Sequence, residues 1–67
     1  MKLKDLIKVL DYYVEVGILP EGEYKWPIMT ERADKIDEKY LDLKVLYVDI
    51  RSSDWILVQL KGLKKAS

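Results

Sequence analysis

Four acids, Asp34, Asp37, Glu38 and Asp42, crowd one short segment of this sequence, and hard oxygen ligands of that kind suit calcium or magnesium. An EF-hand loop would need acids at positions 1, 3 and 5, a glycine at 6 and a glutamate at 12, and the spacing here does not match. The segment reads as a solvated connector, so no metal is expected. Nucleophilic chemistry fares no better. Ser52, Ser53 and Ser67 are available, but the chain has no His and no Cys, which removes imidazole bases, thiolates, disulfides and zinc sites together. Acid pairs such as Asp11 with Glu15, or Glu21 with Glu23, arise by chance in a chain that is 36% charged. Gly17, Gly22 and Gly62 are single and far apart, so there is no phosphate cradle. The expectation is a non-enzymatic protein without cofactor.

Nucleic acid is the next chemistry to weigh. Lys2, Lys4 and Lys8 lie near one terminus and Lys61, Lys64 and Lys65 near the other. If the termini meet, they form one basic patch beside Trp55 or Tyr47 as stacking groups. Against this, twelve basic and twelve acidic residues cancel, so no global field steers the chain to phosphate. An acidic surface mimicking DNA, through Asp11, Glu15, Glu21 and Glu23, is opposed by the same neutrality.

The elements that must position these residues follow from periodicity. Leu3, Leu6, Ile7 and Leu10 recur at helical spacing, which predicts a helix over Lys2–Tyr12 with Lys4, Asp5, Lys8 and Asp11 facing water. Val14, Val16 and Ile18 then alternate as a half-buried strand. Pro20 and Gly22 mark a turn, Gly22 being free to take positive φ. Tyr24, Trp26 and Ile28 alternate in their turn, which predicts a hairpin pairing Ile18 with Tyr24, Val16 with Trp26 and Val14 with Ile28. Pro27 places that second strand at an edge. Thr30–Asp42 is a polar crossover in which Thr30 and Asp37 are candidate helix caps and Ile36, Tyr40 and Leu41 are apolar anchors.

A second hairpin lies within Tyr40–Leu60. Leu46, Val48 and Ile50 share one face, as do Ile56, Val58 and Leu60. Setting Ile50 opposite Ile56 aligns all six, since a one-residue slip sends one set to the other face. The connecting loop is then three or five residues long, with room for a bulge, and the six aligned residues read as core. The predicted fold is α+β: the N-terminal helix packed on a four-stranded, mainly antiparallel sheet made of two hairpins. The alternative is a small SH3-like barrel with the helix at one end. Sixty-seven residues make a single domain, 1–67, with 62–67 as a basic tail expected to fray. A chain of this size buries only about 60% of its unfolded surface, so association with a second copy would add core.

The opposite face of the sheet is the candidate protein interface: Tyr13, Met29, Val45, Tyr47, Trp55 and Leu57, with Pro27 beside them. Aromatic residues and Met are enriched at interfaces, and a contiguous apolar patch on a small protein marks one. The competing reading is that the chain curls, or that the 30–42 connector folds over this face and makes it a second small core. No apolar run approaches the ~20 residues of a membrane span, and the charged N-terminus lacks the apolar stretch of a signal peptide. A cytoplasmic protein is expected.

The KLKDLIKVLD opening, the Val14-x-Val16 strand and the Tyr40–Val48 segment leading to Ile56-Leu57-Val58 resemble short proteins encoded by phages and integrated mobile elements of Gram-positive bacteria. The likeness spans nearly the whole chain and departs at Ile36-Asp37, where relatives carry Ile-Pro, and at Trp26-Pro27. It implies no activity and carries over no catalytic residue. It does imply a setting: accessory proteins that bind or inhibit host machinery, including bacterial defence complexes, as an anti-CRISPR does.

Overall fold

The computed structural model describes residues 1–65. Alternation makes β1 (Glu15–Leu19), and the chain then passes through a long excursion to β2 (Met29–Arg32). A single 3₁₀ turn (Ala33–Lys35) and a one-turn helix follow, then β3 (Val45–Ser52) and β4 (Trp55–Leu60). The N-terminal helix α1 is Leu3–Ile7, and the one-turn helix, α2, is Glu38–Leu41. The sheet order is β2-β1-β4-β3. The two outer pairings are antiparallel and the central pairing, β1 with β4, is parallel. The expected α+β architecture is present, as an open mixed sheet. Its edge strands β2 and β3 do not meet, so the SH3-like barrel is set aside.

α1 is shorter than the Lys2–Tyr12 period predicts. Its last turn tightens to i→i+3 bonds, Val9 N–H to Leu6 C=O and Leu10 N–H to Ile7 C=O, both 3.1 Å. The tightening keeps Leu10 against the sheet, so all four periodic residues still pack on one core. α2 forms where Asp37 accepts the Lys39 N–H at 3.0 Å, as its capping role requires. Thr30 caps nothing; it sits inside β2 opposite Gly17.

The main core lies between the helices and the sheet. It contains Leu3, Val14, Val16, Ile18, Ala33, Tyr40, Ile56, Val58 and Leu60. β1 and β4 are buried at nearly every position, the mark of strands covered on both faces.

The first hairpin is corrected. Ile18 pairs with Met29 and Val16 with Glu31, so Tyr24, Trp26 and Ile28 are not a strand. Pro27 has no N–H to give a ladder, and residues 20–28 leave the sheet plane instead. In the second hairpin Ile50 does face Ile56 and Val48 faces Val58. The turn is only Ser53-Asp54, because Arg51 bulges and lets Ser52 reach Trp55. A second irregularity between Val45 and Tyr47 puts Val45, not Leu46, opposite Leu60.

Candidate interaction surface

The second face of the sheet is not open. The 20–28 excursion folds across it, pinned by Gln59, whose Nε2 donates to the Glu23 carbonyl at 2.9 Å. Tyr24 packs edge-on against Tyr47 with ring centroids 5.0 Å apart. Pro27 lies over Gly17, where a Cβ would stand 3.3 Å from Pro27 Cβ and 2.6 Å from Leu57 Cδ2. Leu19, Leu57, Gln59 and Pro20 are thereby buried. This is a second small core, and its cover is the 20–28 loop, not the 30–42 connector.

The expected interface therefore does not assemble. Leu57 is 2% exposed. Met29 and Val45 lie on the helix side and pack on the main core, Met29 as the partner of Ile18 and Val45 as the partner of Leu60. Tyr13, Tyr47 and Trp55 are exposed but are not one patch. Trp55 opens β4 beside Glu15, with the Arg51 guanidinium 5.8 Å from its ring centre. Tyr13 precedes β1, and its hydroxyl donates to Asp11 at 3.1 Å, which pushes its pKa up. Tyr47 sits nearer the other end, opposite Gln59 and beneath Tyr24.

Glu23 is the hub of the covering loop. Its carboxylate accepts the backbone N–H groups of Lys25 and Trp26, at 3.1 and 3.3 Å, and pairs with Lys65 Nζ at 3.0 Å. Lys65 first, then those two N–H groups, hold its pKa down at about 2. Glu21 adds a second tie, accepting Gly62 N–H at 2.7 Å while its own N–H donates to the Leu63 carbonyl at 2.7 Å. Residues 62–65, expected to fray, are fastened to the loop in this way. Ala66 and Ser67 lie outside the described residues.

The exposed apolar surface is elsewhere. Val48 and Ile50 share the helix side with Val58 and Ile56, yet they are 39% and 74% exposed, and Leu46 is also exposed. These three residues, read from sequence as core, are uncovered because the short helices roof β1 and β4 and reach β3 only at Val45. β3 is also the edge of the sheet. Along its outer side Met1 C=O accepts the Val45 N–H at 2.8 Å, and Lys2 bridges Lys44. From Leu46 onward no strand pairs with that outer side among the described residues. Sequence reasoning missed this site. The available signal was that four helical anchors cannot roof four strands.

The charged candidates divide. Lys4 pairs with Asp42 at 3.1 Å, with Lys2 at 4.0 Å from the same oxygen, and Lys4 holds the Asp42 carboxyl below its ordinary range. Lys65 is taken by Glu23. The fold does bring the termini together: Lys2 bridges Lys44, and Lys61 N–H donates to the Lys44 carbonyl at 2.9 Å. Three lysines thus line up across neighbouring segments, Lys44 being one that sequence reasoning did not include. Lys8 and Lys64 are exposed and outside that row. Of the clustered acids, Asp34 forms a two-bond fork with Arg32 at 2.9 and 3.1 Å, which lowers its pKa, and Asp37 is spent as a cap. No three carboxylates converge as a metal site among the described residues. No helix among them is long and apolar enough to cross a membrane.

No protein-family model, curated protein or solved structure matches the chain.

Proposed function

We propose that this chain is a small non-enzymatic protein-interaction module whose docking element is the free edge of β3. One observation carries the reading: the longest strand is an edge whose Leu46, Val48 and Ile50 side chains are exposed beside it. An unpaired edge offers a row of backbone donors and acceptors to an incoming extended segment. The adjacent apolar side chains give that segment a surface to bury. On this reading the site recognises alternating apolar residues in extended chain. The resemblance to phage and mobile-element proteins supports a setting in the bacterial cytoplasm, where such docking would bind or inhibit host machinery, a defence complex included.

The test is selection of peptides from a displayed library on the immobilised chain, followed by titration. Extended sequences with alternating apolar residues are expected, and Val48→Lys is expected to weaken them about tenfold or more, the factor a loss of ~1.4 kcal/mol produces. Failure to find a peptide that distinguishes the two forms would overturn the reading.

A second reading, nucleic-acid contact, draws on the Lys2–Lys44–Lys61 row. Three phosphate contacts would make log affinity fall against log salt with a slope of about −2.7. A flat response removes this reading.

A further inference from the structure

We infer that the occupant of the β3 edge is a second copy of this chain, paired antiparallel about a two-fold axis through Val48, so that two sheets join into one. The inference rests on the interaction-module reading and adds the partner and the register. The available edge has two limits. Met1 and Lys2 occupy the outer side at Lys44 and Val45, through the 2.8 Å bond from Val45 N–H to Met1 C=O and the Lys2–Lys44 bridge. At the other end the ladder breaks at the Arg51 bulge, between the Ile50 and Ser52 pairings. Between these limits, among the described residues, lie Leu46 to Ile50, with Leu46 at the irregularity between Val45 and Tyr47. The centre of that stretch is Val48.

The residue types make that stretch complementary to itself. Centred on Val48, antiparallel pairing sets Val48 against Val48 and Leu46 against Ile50 of the other copy, apolar on apolar. Tyr47 falls opposite Asp49, where a phenol meets a carboxylate. The neighbouring registers are worse. Centring on Asp49 opposes two aspartates directly, a destabilising like-charge pair. Centring on Tyr47 leaves only Leu46 to Val48 to pair, because Met1 already takes Val45. Centring between Val48 and Asp49 sets Val48 against Asp49. The Val48 register also keeps both helix layers on one side of the joined sheet, because residues directly opposite share a face and Val48 faces itself. The exposed Val48 and Ile50 side chains of the two copies would then cover one another where the helices stop.

The absence of cysteine from the chain allows a register-specific test. Single variants Leu46→Cys, Val48→Cys and Ile50→Cys are oxidised mildly and the disulfide-linked dimer is followed in time. Directly opposed residues have Cβ atoms about 4.5–5.5 Å apart, close to disulfide reach after small adjustment. Positions 46 and 50 meet their own copies only four residues away along the strand, about 13 Å. Val48→Cys is therefore expected to cross-link about tenfold faster than the other two, and wild-type sedimentation to rise above the 7.9 kDa monomer with concentration. Chance collision gives the reverse order, because Ile50 is the most exposed of the three. Cross-linking that follows exposure, or a monomeric mass at every concentration, overturns self-pairing. The docking reading falls separately, on the failure of peptide selection.

Discussion

Val48 and Val58 face each other across the β3–β4 ladder on the helix side, yet Val58 is fully buried and Val48 is 39% exposed. The boundary of the helix layer runs between them. The same boundary separates Ile56, which is buried, from its partner Ile50.

Matched truncations should report that boundary. Val58→Ala is expected to destabilise the fold by about 2 kcal/mol, through lost burial and a cavity. Ile50→Ala should change stability by less than about 0.5 kcal/mol, as an exposed surface substitution does. Urea unfolding of dilute protein, well below the concentration at which copies associate, makes the comparison. Equal costs would mean that β3 is roofed.

Gly17 is required by crowding on the covered face, where a Cβ would press on Leu57 and Pro27. Gly17→Ala is expected to cost about 1–3 kcal/mol by overpacking. Adding Leu57→Ala removes the nearest clash, so the double variant should be more stable than the two single costs added together. Simple additivity would mean that the Leu57 side chain does not press on residue 17.

Acid should loosen the loop through Glu23. Its folded pKa of about 2 lies below its ordinary value of 4.5. The stabilisation is therefore complete above pH 4.5 and lost as the pH falls through about 2. The difference between wild type and Glu23→Gln isolates this contribution from those of Asp34 and Asp42, which act in the same direction. Denaturation midpoints compared down the acid range are expected to converge.

Gln59→Leu keeps the volume and removes the bond to the Glu23 carbonyl. The expected cost is about 1 kcal/mol, with faster amide exchange in residues 20–28 and little change in β4. Uniform acceleration over the whole sheet would show that Gln59 supports more than the loop.

Much of the local structure was legible because it depends on neighbours in sequence. Leu3, Leu6, Ile7 and Leu10 declared an apolar stripe, Asp37 its cap, Gly22 its positive-φ turn, at 88°, and Ile50 its pairing with Ile56. β2 was illegible, since Met29-Thr30-Glu31-Arg32 shows no apolar alternation while Tyr24, Trp26 and Ile28 do.

The tertiary structure alone decided which faces are covered. Alternation assigns residues to one face or the other, but Tyr47 and Leu57 alternate as well as Val48 and Val58 do. The choice came from the parallel pairing of β1 with β4, a contact between strands distant in sequence that places Gly17 beside Leu57. That pairing makes the centre of the sheet apolar on both sides, so the 20–28 loop is drawn over one face and the helices over the other. Neither layer extends over the helix side of β3 beyond Val45. Periodicity records how a strand is oriented; what lies above it is set by the reach of elements elsewhere in the chain.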